Sequence, residues 1–189
     1  TEQSKSVELL TEGECRLLTI TGTGGMGKTR LAVKVASDYL KPDTPFRDGI
    51  YFVSLKGVNP ATSTPEADLN PFISTIGAAI GVSFAGKTPL ETQLLNAVRE
   101  KMMLLVLDNF EHLADYGGRV VDILEQAPGL KVIVTSRTRL NLYEECVFDL
   151  WGLPYPAGES EPAQRELYDS LQRCEQRARR VNQDFDMET

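Results

Sequence analysis

The sequence has few of the residues that build metal clusters or disulfide frameworks. Among its 189 residues there are one histidine and three cysteines. Cys15, Cys146 and Cys174 are widely separated, and neither they nor His112 show the spacing of a metal site. We therefore expect no metal cluster built from these side chains. An odd number of scattered cysteines favours a reducing compartment, so we expect a cytoplasmic protein.

Long hydrophobic runs and an excess of positive charge are also missing. No apolar stretch approaches the about 20 residues that cross a bilayer, so we expect no membrane-spanning segment. Lysine and arginine number 20 against 27 aspartates and glutamates, which gives a net charge of −7. Because a nucleic-acid backbone binds basic surfaces, we do not expect this segment to bind nucleic acid directly.

One glycine-rich run stands between a strand pattern and a helix pattern. Its Gly-Thr-Gly-Gly-Met-Gly-Lys-Thr at 22–29 fits G-x-x-x-x-G-K-[ST]. Glycines let backbone N–H groups turn towards an anion, and the positive end of the following helix faces the same anion. The lysine reaches β- and γ-phosphates and the threonine hydroxyl binds Mg²⁺. We predict a phosphate site formed by Gly22, Thr23, Gly24, Gly25, Met26, Gly27, Lys28, Thr29 and Arg30.

A continuous apolar run at 102–107 ends in Asp108. A run without alternation is typical of a strand buried on both faces, and a carboxylate at its end can hold Mg²⁺ beside Thr29. A helix-capping aspartate is the alternative interpretation. The next residue, Asn109, can orient a water molecule but is not a base. Glu111 is an acid close by in the sequence, and we take Asn109 and Glu111 as the candidate catalytic or water-orienting residues. We therefore expect nucleotide binding with slow Mg²⁺-dependent hydrolysis.

The fourth strand pattern, at 130–135, is followed by Ser136 and Arg137. At that edge of a sheet, a guanidinium can contact the γ-phosphate and distinguish ATP from ADP. A surface arginine is the alternative interpretation, and Arg139 is a second candidate by composition. We favour Arg137 as the sensor.

Strand and helix patterns alternate along most of the chain, which predicts an α/β fold with a mostly parallel sheet. We divide the chain into a flank at 1–16, a nucleotide-binding domain at 17–156, and a linker with the start of a helical region at 157–189. Residues 56–70 are predicted to be a surface loop, with a helix following around Phe72. The chain begins at Thr1 and ends in a polar run, so we expect it to be a piece of a longer protein.

With these motifs in place, the chain resembles the nucleotide-binding domain of STAND-class signalling ATPases, in the NB-ARC-like version of large bacterial transcriptional regulators. The resemblance rests on residues 18–32, 48–55, 104–113 and 128–137. It implies a P-loop NTPase three-layer sandwich with a five-stranded sheet in the order 5-1-4-3-2. It also implies ATP or ADP with Mg²⁺, a conformational switch, self-association or attached effector domains, and Arg137 as the γ-phosphate sensor.

Three function classes remain open at this point. The first is a regulatory ATPase switch whose output lies elsewhere in the full protein, and this is the one we expect. The second is a metabolic P-loop enzyme such as a small-molecule kinase, although residues 56–90 supply little of the acceptor pocket and arginine lid that a kinase needs. The third is a nucleotide-binding interaction domain without turnover, which Asn109 keeps open.

Overall fold

The computed structural model describes residues 15–59 and 65–150, and five strands form one sheet in these residues. Every neighbouring pair of strands is parallel, and the order across the sheet is β2-β3-β4-β1-β5. From the opposite edge this is the 5-1-4-3-2 order that the resemblance implied, so that expectation is confirmed. The strands are β1 (Leu17–Thr21), β2 (Ile50–Ser54), β3 (Met103–Asp108), β4 (Leu130–Ser136) and β5 (Glu145–Asp149).

Helices cover both faces of the sheet, which confirms the three-layer sandwich. Because successive side chains of a strand point to opposite faces, each strand contributes to two cores. Leu18 and Ile20 pack in one core with α1, whereas Leu105 and Leu107 pack in the other with α2, α3 and α4. The helices are α1 (Lys28–Asp38), α2 (Pro65–Ile80), α3 (Leu90–Val98) and α4 (Gly117–Gln126), with a 3₁₀ helix at Phe110–Tyr116.

Helix α2 begins earlier than the sequence predicted, since residues 65–70 of the expected loop are helical. Pro71 lies inside this helix. A proline in a helix interior removes one backbone donor and costs about 3 kcal/mol. Burial of an apolar side chain contributes about 1.5–3 kcal/mol, so the four on the inner face of α2 outweigh that cost. These four are Leu69, Phe72, Ile73 and Ile76.

Cys15 and Cys146 form a disulfide. Cys15 lies two residues before the start of β1, and Cys146 lies in the edge strand β5. Their spacing of 131 positions carries no signal for this pairing. The parallel pairing of β1 with β5 brings the two segments side by side, with Leu18 opposite Cys146, and the Cα atoms of Cys15 and Cys146 are 6.1 Å apart. It was not expected, because the cysteine pattern had predicted a reducing compartment, where disulfides are rare.

Several parts of the chain lie outside the described residues. These are residues 1–14 of the predicted flank, residues 60–64, and residues 151–189, which include the helical region predicted at 157–189. Within the described ranges, no helix has the length and apolar character needed to cross a membrane.

Replacing Phe72 by alanine tests the core between the sheet and α2. Phe72 is fully buried, and its ring centroid lies 5.9 Å from those of Phe110 and Tyr116. We expect Phe72→Ala to lower the free energy of unfolding by about 3–5 kcal/mol, because it leaves a cavity under α2. Phe52→Ala is the matched control, since Phe52 in β2 is 47% exposed. Equal losses in the two variants, measured by urea unfolding, would contradict this assignment of the core.

Candidate functional site

The glycine-rich loop joins β1 to α1 at the carboxyl end of the sheet, and residues 23–27 are exposed. Gly27 has a φ angle of 93°, which side chains disfavour, although an added Cβ would meet no atom within 4 Å. Its backbone conformation therefore requires glycine. At Gly22 close packing requires it, because a Cβ would lie 2.9 Å from the carbonyl oxygen of Leu150. The loop is therefore tightly packed at Gly22, its first residue, whereas residues 23–27 are exposed.

Lys28, the first residue of α1, holds its ammonium group over the loop. Its Nζ donates hydrogen bonds to the carbonyl oxygens of Gly22 at 2.7 Å and Thr23 at 3.0 Å. These two hydrogen bonds keep the cation beside the loop, and its role in binding a phosphate group stays a prediction. Arg30, which we included in the predicted phosphate site, is exposed in the first turn of α1.

Asp108 is in contact with Thr29, the other residue of the predicted magnesium site. It ends β3 and is 5% exposed, and its Oδ1 accepts a hydrogen bond from Thr29 Oγ1 at 2.6 Å. Carboxylate and hydroxyl oxygens are hard ligands of the kind that Mg²⁺ prefers. These two residues, 79 positions apart in the sequence, are therefore in direct contact and match the chemistry of the ion. Their role as ligands stays a prediction.

Thr135 belongs to this cluster, although the sequence analysis gave it no role. Its Oγ1 donates a hydrogen bond to Asp108 Oδ1 at 2.7 Å and accepts one from the backbone N–H of Asn109 at 3.1 Å. Asn109 has a φ angle of 64°, a left-handed conformation that asparagine tolerates better than most residues. The threonine hydroxyl thus fixes the turn that follows β3. The only sequence signal for it is a hydroxyl residue at the end of an apolar strand.

Arg137 and Glu111, which the sequence analysis assigned to separate roles, form an ion pair. Arg137 Nε lies 3.2 Å from Glu111 Oε1. The side chain of Arg137 is 67% exposed, whereas that of Glu111 is 23% exposed. The other carboxylate oxygen, Oε2, is buried and has no hydrogen-bond partner in the described part of the chain. The sensor role of Arg137 and the water-orienting roles of Asn109 and Glu111 stay predictions.

Arg139, the second sensor candidate, pairs with Asp149 at the end of β5. Its Nη2 lies 2.6 Å from Asp149 Oδ2, and Thr21 Oγ1 donates a hydrogen bond to Asp149 Oδ1. These two hydrogen bonds hold the pKa of Asp149 below its usual value of 3.8. The bond from Thr21 has the larger effect and the bond from Arg139 the smaller. Arg139 therefore braces the β1–β5 side of the sheet, whereas Arg137 lies on the β3 side.

The family described as the NB-ARC domain matches residues 2–141. The chain is 34% identical over 141 residues to a protein named as an HTH-type transcriptional regulator in Mycobacterium tuberculosis, a match covering 74% of this chain and 14% of that protein. It is 32% identical over 124 residues to the regulatory protein AfsR of Streptomyces coelicolor, covering 64% of this chain and 12% of AfsR. The chain thus spans a small part of the length of these relatives.

Among solved structures, Cdc6p from Pyrobaculum aerophilum has a similar fold. The TM-score is 0.57 and the sequence identity 18%, and the match covers 82% of this chain and 45% of that chain. At this identity the similarity shows the fold alone, and it agrees with the P-loop NTPase architecture described above.

Replacing Thr135 by valine removes the hydroxyl and keeps the shape of the side chain. We expect the free energy of unfolding to fall by about 1–3 kcal/mol, because the Asn109 N–H loses its acceptor and Asp108 loses a donor. Thr135→Ser, which keeps a hydroxyl, should lose less. Urea unfolding measures all three proteins.

Thr19→Val is the matched control for this prediction. Thr19 lies in β1 and is fully buried, and its Oγ1 has no hydrogen-bond partner within residues 15–59 and 65–150. The same substitution there removes an unpaired polar atom, so stability should stay equal or rise. A loss as large as that of Thr135→Val would contradict the role of the Thr135 hydroxyl.

Proposed function

This chain belongs to the NB-ARC domain family of nucleotide-binding domains, and from that premise we propose that it is an ATP/ADP-binding regulatory switch with slow Mg²⁺-dependent ATP hydrolysis. One observation carries the proposal: of two consecutive residues, Lys28 donates to the loop carbonyl of Gly22 and Thr29 donates to Asp108 at the end of β3. The loop N–H groups and Lys28 would hold the β- and γ-phosphates, and Thr29 and Asp108 would hold Mg²⁺. The ion would neutralise negative charge on the phosphates.

Slow hydrolysis is supported by the residues that follow Asp108. Asn109 can orient a water molecule but cannot take its proton at neutral pH. Glu111, a nearby acid, has one oxygen engaged by Arg137. A switch needs nucleotide states that persist, and such an arrangement favours persistence over rapid turnover.

The γ-phosphate contact is assigned to Arg137. Ser136 lies opposite Thr21 in the register of β4 and β1, so Arg137 follows the sheet at the level of Gly22, the first residue of the loop. An arginine at this height has the charge and geometry to bind a terminal phosphate. Binding of ATP rather than ADP would then change the contacts of β4.

The output of the switch is proposed to lie in other domains. The two relatives are named as regulators, and the matched region covers only 14% and 12% of their lengths. We infer that a longer protein couples the nucleotide state to self-association or to an effector domain. The cytoplasmic location stays a prediction, and the Cys15–Cys146 disulfide argues against it. With a net charge of −7, this segment is a poor candidate for contacting DNA itself.

Thermal unfolding with Mg-ATP, Mg-ADP and Mg-GTP tests nucleotide binding. Ligand at about 100 times its Kd stabilises a fold by about 2.7 kcal/mol, which raises the Tm of a domain of this size by about 5–10 °C. We expect this rise with the adenine nucleotides for the wild type and its loss in Lys28→Ala. Lys34→Ala is the matched control, because Lys34 lies in the same helix and pairs with Asp38 on the exposed surface.

No rise with any nucleotide at millimolar concentration would contradict the proposal. If binding is found, phosphate release from ATP is measured next. We expect a rate far below the about 10 per second of a median enzyme. Binding without any phosphate release would favour the interaction domain without turnover.

A further inference from the structure

The ion pair of Glu111 and Arg137 stands at the carboxyl ends of two central strands. Arg137 follows β4, which lies between β1 with its glycine loop and β3 with Asp108. The guanidinium that the proposed function assigns to the γ-phosphate is therefore already held by a carboxylate of the same chain, at 3.2 Å. A γ-phosphate and Glu111 would compete for one cation.

Glu111 depends on Arg137 for charge compensation. Its side chain is only 23% exposed, and its second oxygen is buried and unpartnered in the described part of the chain. Within that part, Arg137 supplies the one ion pair that Glu111 makes. Drawing the guanidinium away leaves a largely buried carboxylate without its cation, which costs more than separating two exposed charges.

We propose that Glu111 sets the preference of this domain between ATP and ADP by competing with the γ-phosphate for Arg137. The inference rests on the proposed function. ATP must draw Arg137 away from Glu111, whereas ADP has no γ-phosphate and leaves the pair intact. The pair therefore lowers the affinity for ATP relative to ADP. Glu111 is in this sense a positioning residue that acts through Arg137.

Glu111→Gln tests the competition, because it keeps the size of the side chain and removes its charge. Calorimetric titration of the full chain with Mg-ATP and Mg-ADP gives the two Kd values. We expect the affinity for ATP to rise relative to ADP by about two- to tenfold, with the affinity for ADP nearly unchanged. Glu111→Ala should also raise the ratio of the affinity for ATP to the affinity for ADP. This second variant keeps the test valid if the first fails to fold.

Two further variants isolate the role of Arg137. In an Arg137→Gln background, Glu111→Gln should leave the ratio of the two affinities unchanged, because the shared cation is gone. Asp122→Asn is the matched control, because it breaks the ion pair between Arg119 and Asp122 on α4. The side chains of these two residues are 51% and 50% exposed, so this variant should leave the ratio of the two affinities unchanged. Thermal unfolding without nucleotide checks that each variant is folded.

Each remaining outcome has a definite meaning. A ratio that stays the same or falls in Glu111→Gln, while both nucleotides bind, overturns the competition and leaves the proposed function standing. A rise of equal size in the Arg137→Gln background shows that Glu111 repels the γ-phosphate directly, and this also overturns the role through Arg137. Absence of nucleotide binding by the wild-type chain overturns the proposed function itself, and the inference with it.

Discussion

Two threonine hydroxyls meet one buried carboxylate oxygen, and the geometry of the site depends on that contact. Thr29 in α1 and Thr135 in β4 both donate to Oδ1 of Asp108 at the end of β3. An ionised carboxylate that is removed from water needs such donors to offset the lost hydration. The contact therefore ties the helix after the glycine loop to two central strands. The atoms that fix the loop relative to β3 are those that would hold a metal ion.

The parallel sheet brings these residues together at the carboxyl ends of its strands. Because every neighbouring pair of strands is parallel, all five carboxyl ends lie on the same side of the sheet. The interiors of the central strands are covered by α1 on one face and by α2, α3 and α4 on the other. Polar chemistry is thereby confined to the residues at and after the strand ends. The proposed phosphate, metal and sensor residues lie at or just after these strand ends or in the first turn of α1.

The cations of the site are held by oxygen atoms of the chain itself. Lys28 contacts two loop carbonyl groups, and Arg137 contacts the carboxylate of Glu111. A phosphate group would exchange these contacts for new ones, so its binding free energy is a difference between two sets of charged hydrogen bonds. A nucleotide shifts a switch only by the difference in its affinity for the two states. The internal partners of the cations therefore matter as much as the cations.

Three features were predictable from the sequence: the glycine loop, Asp108, and the alternation of strands and helices. Each depends on the spacing of nearby residues and on their backbone preferences. The early start of α2 was not, because burial of its inner face outweighs the proline that local rules take as a boundary. Only the tertiary structure decided which distant side chains meet. The partners are Asp108 with Thr135, Glu111 with Arg137, and Cys15 with Cys146. Their contacts depend on strand order and register, which are set by long-range packing of the whole sheet and are absent from any local pattern.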